Sequence, residues 1–184
     1  MNTARSFLLA ALLAPACAFA QDRFVTRNGE VSFFSSTPME NIEAVNHKAT
    51  SVFDAGSSAI EFAVLIKAFE FEKALMQEHF NENYMESNTY PKASFKGKMT
   101  GVSAADMAKP GTYEVTVDGD LTIHGVTKHV TTKGTITVDP TAAIKANSTF
   151  NVKPEDYGIK VPSVVRGKIA EEIQVKVAIV YQHM

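Results

Sequence analysis

Apolar and polar residues alternate along most of the chain beyond residue 30, and strict alternation is the pattern of a β-strand with one buried face. The clearest run places Ile60, Phe62, Val64 and Ile66 on one face. About eight such runs occur, over residues 31–36, 45–53, 60–67, 92–99, 113–123, 130–138, 142–152 and 173–181. Eight strands, each with one mostly apolar face, favour a closed antiparallel barrel, because closure leaves no strand edge unpaired. A sandwich of two sheets is the alternative.

One stretch breaks the alternation. Residues 72–81 are rich in helix formers and are followed by Asn83 and Pro91, which predicts a short helical insert. Within it Met76 and Phe80 are about one helical turn apart and would pack over one end of the barrel. The insert is either a lid over a ligand or a plug over core side chains.

The alternation continues on both sides of Gly119, which predicts a bend inside one long strand.

The inward faces of the predicted strands mix small and large side chains. The small ones are Ala49, Ser51, Ala93, Gly97, Thr132, Gly134, Ala142, Ala146 and Ser148, and the large ones are Phe53, Phe62, Phe95, Phe150 and Tyr181. Small residues between rings can leave a hollow that accepts an apolar ligand. The same residues could instead interlock and fill the barrel, and the sequence leaves both interiors open.

The first residues of the chain have the pattern of an export signal. Arg5 precedes an apolar run and then small residues ending in Ala18-Phe19-Ala20, so we expect cleavage after Ala20. This predicts a signal peptide over residues 1–20 and a single barrel domain over residues 21–184, located in the periplasm and not transmembrane after cleavage. Cys17, the one cysteine, falls within the leader, so the mature domain would have no disulfide.

Composition and motifs exclude several function classes. Hydrophobic residues make up 45% of the chain and charged residues 21%, which is too apolar for a disordered protein. The net charge of −2, without any basic block, argues against a nucleic-acid partner. The sequence contains no hydrolase elbow, zinc-protease helix or nucleotide-binding loop, so we expect no resident cofactor or metal.

Charged and titratable residues give only weak site candidates. His124 and His129 are close in sequence, but a metal needs more ligands than two, and the alternation directs His124 outward. His47 falls on an inward position and is expected to be a satisfied interior histidine. Arg166 and Lys168 are either phosphate contacts near a barrel end or ordinary loop charges.

The insert also carries Glu78, Glu82 and Glu86 at four-residue spacing, beside His79. On a sufficiently long helix these side chains would share one face. They are then either a cation site or, as is usual for such stripes, solvated surface.

Three stretches of the sequence are ENIEAVNHKATSVFD over residues 40–54, YPKASFKG over residues 90–97 and GDLTIHGVTK over residues 119–128, of which the last two are the most specific. With them the chain resembles the YceI-like family of periplasmic polyisoprenoid-binding proteins. The resemblance extends over residues 31–181 and implies a lipocalin-like, eight-stranded antiparallel barrel whose apolar tunnel holds a long isoprenoid chain. Many members carry a His-Ser pair in the first strand, whereas this chain has Ser35 and Ser36 without that histidine. No head-group contact is therefore carried over.

These observations predict a non-enzymatic periplasmic carrier for a long isoprenoid lipid of polyprenyl or quinone type. The alternation of inward residues selects the tunnel lining, with two residues of the insert at its mouth. The lining comprises Phe62, Val64, Ile66, Phe95, Val115, Val117, Ile123, Phe150, Val177 and Ile179, and the mouth Met76 and Phe80. The alternatives are an enzyme for a small hydrophobic substrate, which would use His124 or the Glu78, His79 and Glu82 group, and a structural module without ligand.

Overall fold

The structure is a computed structural model that describes residues 22–141 and 143–184. The predicted signal peptide, with Cys17, and Ala142, which was predicted to face inward, lie outside the described residues. The strands are β1 (Arg23–Ser36), β2 (Asn41–Asp54), β3 (Ala59–Leu65), β4 (Glu70–Phe71), β5 (Lys92–Thr100), β6 (Gly111–Ile123), β7 (Val126–Val138), β8 (Ile144–Val152) and β9 (Ile173–His183). The helical elements are α1 (Ala74–His79), a π-helical turn (Phe80–Tyr84) and 3₁₀ turns at Ile66–Ala68, Pro154–Tyr157 and Ser163–Val165.

Eight of these strands close into an antiparallel barrel in the order β1-β9-β8-β7-β6-β5-β3-β2, and β2 pairs again with β1. The short β4 adds one further pairing to β2. The predicted closed barrel with a short helical insert is therefore confirmed. Gly119 lies inside β6 opposite Gly97 of β5, with the Phe95 ring over both, so β6 continues as a single strand as predicted.

The barrel has two unlike ends. At one end, here called the closed end, the β2–β3, β5–β6 and β7–β8 connections meet. At the other end, here called the mouth, lie the connections 37–40, 66–91, 124–125 and 153–172. The closed end is filled by side chains from the strands and by Val102 and Met107 from the β5–β6 connection.

A bulge changes which residues of β1 and β2 face inward. The register between these strands shifts between Thr26 and Gly29 and again before Val31. On β2, Asn46 is inward before the bulge and Ala49 after it, so His47 is exposed, 3.3 Å from Glu30. The prediction of an interior His47 was wrong, because alternation counted from Ala49 does not continue through a bulge. Gly29 lies against Ile179 here, so a side chain on residue 29 would force the Ile179 side chain to move.

Asn46 lies where β2 changes its pairing partner in the barrel wall. Its amide nitrogen donates to the Leu65 carbonyl at 2.8 Å, and its side-chain oxygen accepts from the Lys48 backbone nitrogen at 2.8 Å. Toward the closed end β2 pairs with β3, whereas toward the mouth it pairs with β4. The chain between β3 and β5 therefore leaves the wall at Asn46 and forms the helical segment at the mouth.

The helical segment is shorter than predicted. Sequence alone predicts a helix over 72–81, whereas α1 covers Ala74–His79 and continues as the π-helical turn. The Asn81 side chain donates to the Gln77 carbonyl at 2.8 Å, occupying the acceptor that the next α-helical bond would need. Among the described residues, every helix is too short or too polar to cross a bilayer.

Candidate ligand-binding cavity

A cavity of about 550 Å³ extends from the mouth into the barrel. This volume lies within the range of about 300–1,000 Å³ that is typical of small-molecule sites. Its inner end is formed by Ile60, Met99, Val115, Ile136 and Tyr181, which belong to the side-chain cluster of the closed end. The interior is thus hollow toward the mouth and filled toward the closed end, which decides between the two interiors that the sequence left open.

The structure brings together eleven of the twelve residues selected from the sequence. They are Phe62, Val64, Ile66, Met76, Phe80, Phe95, Val115, Val117, Ile123, Phe150 and Val177. Ile179 is inward as predicted but does not line the cavity. It is buried against Gly29 in the filled part of the barrel, because the missing glycine side chain leaves room for it there.

Four phenylalanine rings attach the helical segment to the barrel wall. Phe80 of the π-helical turn lies 5.4 Å from Phe33, 5.6 Å from Phe69 and 5.0 Å from Phe71 between ring centroids. Such spacings are those of favourable aromatic pairs. The four rings also line the cavity, so the segment both covers the barrel and contributes to its lining.

The sequence analysis missed Phe33, Phe69 and Phe71. Phe33 and Phe34 are adjacent, so alternation alone could not assign one of them inward. Phe69 and Phe71 lie between the predicted strand and the predicted helix, where neither period applies. A high density of phenylalanine beside the insert was the one available signal.

The cavity is wide because one side of the barrel has small inward residues. Thr132 and Gly134 of β7 and Ala146 and Ser148 of β8 line it. In a ring of eight strands, β8 is four positions from β3, so Ala146 and Ser148 are on the strand opposite the one that carries Phe62. The two hydroxyl groups are already bonded, since Ser148 donates to the Lys133 carbonyl at 2.7 Å and Thr132 donates to the same carbonyl at 3.3 Å.

Tyr181 and Ser51 form a buried polar pair at the inner end. Their hydroxyl oxygens are 2.7 Å apart. Burial raises the pKa of Tyr181 to about 12, against the smaller opposing effect of the Ser51 hydrogen bond. The phenol is therefore neutral at physiological pH, and this end of the cavity carries no charge.

The two basic residues considered as phosphate contacts each have an acidic partner. The Lys168 ammonium is 3.9 Å from the Glu40 carboxylate, and both residues line the cavity. The Arg166 guanidinium is 3.3 Å from Glu155 and lies outside the lining. The arrangement favours ordinary loop charges over a phosphate site.

His124 does not point outward, in contrast to the prediction. It starts a two-residue turn with a φ of 50°, and this turn rotates the side chain from the strand direction. The ring lies 4.4 Å from that of Tyr90, with Nδ1 3.3 Å from the Tyr157 carbonyl and Nε2 3.6 Å from the Glu86 carboxylate. It joins three mouth segments without lining the cavity.

The other titratable candidates are at the surface. His129 lies on the outer wall, 3.1 Å from Asp120 and 3.2 Å from Asp118. The hydrogen bond to Asp120, with the charge of Asp118, raises the pKa of His129, while the Thr131 hydroxyl lowers the pKa of Asp118.

The predicted acidic stripe is not a site in this structure. Glu78, Glu82 and Glu86 are exposed and do not share one α-helical face, because α1 ends at His79. Within residues 22–141 and 143–184, no three His, Cys, Asp or Glu side chains are grouped to hold a metal ion.

Comparison with known proteins identifies the fold and the family. Residues 23–181 match the YceI-like domain. A UPF0312 protein of Pseudomonas putida strain W619 is 34% identical over 102 residues, or 51% of this chain and 48% of that protein. UPF0312 proteins of other P. putida strains, GB-1 among them, match to the same extent, so the chain spans about half the length of the curated relatives it matches.

Two solved structures share the fold at low sequence identity. The polyisoprenoid binding domain from Saccharophagus degradans has a TM-score of 0.75 and 15% identity, over 89% of this chain and 99% of that one. BcnA of Burkholderia cenocepacia has a TM-score of 0.69 and 18% identity, over 84% of this chain and 96% of that one.

Proposed function

The chain belongs to the YceI-like domain family, and from that premise we propose that it binds a long isoprenoid lipid, of polyprenyl or quinone type, without covalent chemistry. The observation that carries the proposal is the apolar cavity, which is open at the mouth of a closed barrel. The similar domain from S. degradans is described as polyisoprenoid binding, which supports the same ligand class here.

The cavity favours a ligand held by its chain and not by its head group. Each buried methylene contributes about 0.8 kcal/mol, and association costs roughly 4–15 kcal/mol, so about ten methylenes offset a mid-range cost. The eleven predicted lining residues would contact the chain, with Met76 and Phe80 at the mouth. Its tail would reach Tyr181, and its polar end would remain near Glu40 and Lys168, where water has access.

The proposed role is that of a carrier in the periplasm. The signal-peptide pattern of residues 1–20 supports export. The proposed role requires no catalytic residue. Of His79, His124, Glu78 and Glu82, His79 is the one that lines the cavity, so these residues do not form an acid and base pair inside it.

Mass spectrometry of an organic extract tests the proposal directly. The protein is purified without detergent and extracted, and uptake of a polyprenol from cyclodextrin is then followed by native mass spectrometry. We expect a co-purified isoprenoid or stoichiometric uptake. An empty extract combined with no uptake would contradict the proposal.

A matched pair of variants on β3 tests the binding site. Phe62→Asp places a carboxylate in the cavity, and we expect it to abolish uptake because the ligand would leave that charge without water. Leu65→Asp makes the corresponding change on the outward face, where the side chain is already 53% exposed, and should take up polyprenol normally. Equal uptake by both variants would show that the chain is bound elsewhere.

A further inference from the structure

Three segments at the mouth each place an exposed apolar side chain directly beside a residue that lines the cavity. The pairs, exposed residue first, are Met39 and Glu40, Leu75 and Met76, and Val164 and Val165. Met39 is 69% exposed, Leu75 61% and Val164 88%. Single exposed apolar side chains are common, but three at one end of a barrel, each next to a residue that lines an apolar cavity, form a grouping of the kind found at interaction surfaces.

The same exposure does not occur on the connections of the closed end. There Ala55, Val102 and Met107 are turned inward and buried. Among the described residues, the large exposed apolar side chains outside strands and the chain terminus are the three at the mouth. Large apolar residues of the connections are thus buried at the closed end, whereas three of them are exposed at the mouth.

Two of these segments are in contact and form one continuous side of the mouth. The Met39 sulfur lies 2.9 Å from the position that a Gly167 side chain would occupy. The neighbouring Lys168 faces Glu40 across the same contact at 3.9 Å. Met39 and Val164 are therefore on adjoining loops, and α1 supplies Leu75 from another segment of the same end.

We propose that the mouth docks on the surface of a lipid bilayer, with Met39, Leu75 and Val164 entering the boundary between head groups and acyl chains. The proposal rests on the proposed function, because an isoprenoid ligand is stored in membranes and passes poorly through water. Docking in this orientation opens the cavity toward the acyl chains. The ligand then enters or leaves while its chain stays in an apolar environment.

Charge at the mouth selects the kind of bilayer. Segments 37–40, 66–91 and 153–172 carry ten acidic and six basic residues, a net charge of −4. This is opposite to the basic surface that an anionic membrane attracts. The insertion is therefore driven by apolar burial, and zwitterionic lipids such as phosphatidylcholine and phosphatidylethanolamine are the preferred surface.

Vesicle flotation measures the docking. The purified protein is floated with vesicles of phosphatidylcholine and phosphatidylethanolamine, and with vesicles that also contain phosphatidylglycerol at low salt. The test variant is Val164→Ser with Leu75→Gln. The control is Val180→Ser, which removes a 54% exposed valine from the outer wall of β9. Polyprenol uptake from cyclodextrin is measured for each protein in the absence of vesicles.

We expect the wild type and Val180→Ser to bind the zwitterionic vesicles equally well. The double variant should bind these vesicles at least tenfold more weakly. The wild type should bind more weakly when the vesicles contain phosphatidylglycerol. Equal flotation of the double variant and the wild type, absence of flotation, or a mouth-to-mouth dimer seen by light scattering and lost in the double variant would overturn the docking proposal. Uptake from cyclodextrin separates the two proposals. If the wild type takes up no polyprenol, the proposed ligand is contradicted, whereas the docking surface is tested only by flotation.

Discussion

At the closed end the inward side chains of the barrel strands contact one another, whereas toward the mouth the same strands face a cavity. Phe53 of β2 is fully buried, with ring centroids 6.3 Å from Phe24 and 6.5 Å from Tyr181. Phe62 of β3 is inward as well but remains partly accessible from the cavity. Residues of one type and one orientation therefore fill one end and line the other.

The connections account for this difference. At the closed end the β5–β6 connection inserts Val102 and Met107 between the strands. At the mouth the helical segment leaves the wall at Asn46, and its Phe80 packs on Phe33, Phe69 and Phe71, which line the cavity without filling it. Stability is therefore expected to come mainly from the closed end and ligand binding from the mouth half.

Replacing one phenylalanine at each end tests this division most strongly. Phe53→Ala should lower the free energy of unfolding by about 3–5 kcal/mol, because it opens a void in a filled region. Phe62→Ala should cost only about 1–2 kcal/mol, since its ring already borders empty space. Urea denaturation of both proteins without ligand gives the two values, and equal losses would show that the mouth half contributes as much to stability.

The opposite change, from alanine to phenylalanine, should separate the regions in a second way. Ala55 is buried in the side-chain cluster of the closed end and outside the cavity, and Ala55→Phe should destabilise the protein by about 1–3 kcal/mol through overpacking. Ala146→Phe can extend its ring into the cavity with little loss of stability, but it should weaken polyprenol binding at least tenfold by displacing several methylenes. Unchanged binding by Ala146→Phe would contradict a ligand in this part of the barrel.

Alternation allowed the strands, the closed barrel and most of the cavity lining to be predicted, because a strand with one buried face leaves a period of two in the sequence. Prediction from sequence patterns failed at three places where a local contact changes the backbone or ends an element. The bulge exposes His47, the turn at His124 directs its ring between the other mouth segments, and Asn81 ends the α-helix early. Each of these depends on a local contact that hydrophobic alternation does not record.

The amount of empty space could not be obtained from the sequence. The same small residues, such as Gly134 and Ala146, are compatible with a filled or a hollow barrel. The barrel is filled where strands distant in sequence place large side chains opposite these small residues, and it is hollow where they do not. Gly29 illustrates the filled outcome, because Ile179 occupies the room that the glycine leaves.

Alkaline pH should affect the closed end through Tyr181. Because burial raises the pKa of its phenol from 10.0 to about 12, the unfolded chain loses this proton first as the pH rises above 10. Stability is therefore retained below pH 10 and falls between the two values, by about 1 kcal/mol at pH 11. Urea denaturation across this range measures the slope.

The Tyr181→Phe variant should be less stable at neutral pH, because Ser51 loses its partner, but should lack this part of the alkaline slope. Tyr113→Phe removes a hydroxyl bonded to the Lys109 carbonyl and serves as the control. If Tyr181→Phe retained the full slope, the alkaline loss would originate outside the closed end.

A change on the outer wall, which contributes to neither the closed end nor the mouth, should have the smallest effect. The pKa of His129 is raised mainly by its hydrogen bond to Asp120. The charged ring therefore stabilises the folded protein below the ordinary histidine pKa, and this contribution is lost as the pH rises through the raised pKa. All three partners are more than half exposed, so solvent screens the pair and His129→Gln should lower the urea midpoint only slightly, and only on the acidic side. His47→Gln, at the exposed pair with Glu30, is the control, and polyprenol uptake should be unchanged in both. A loss comparable to that of Phe53→Ala would mean that the outer wall, and not the closed end alone, determines the stability of the barrel.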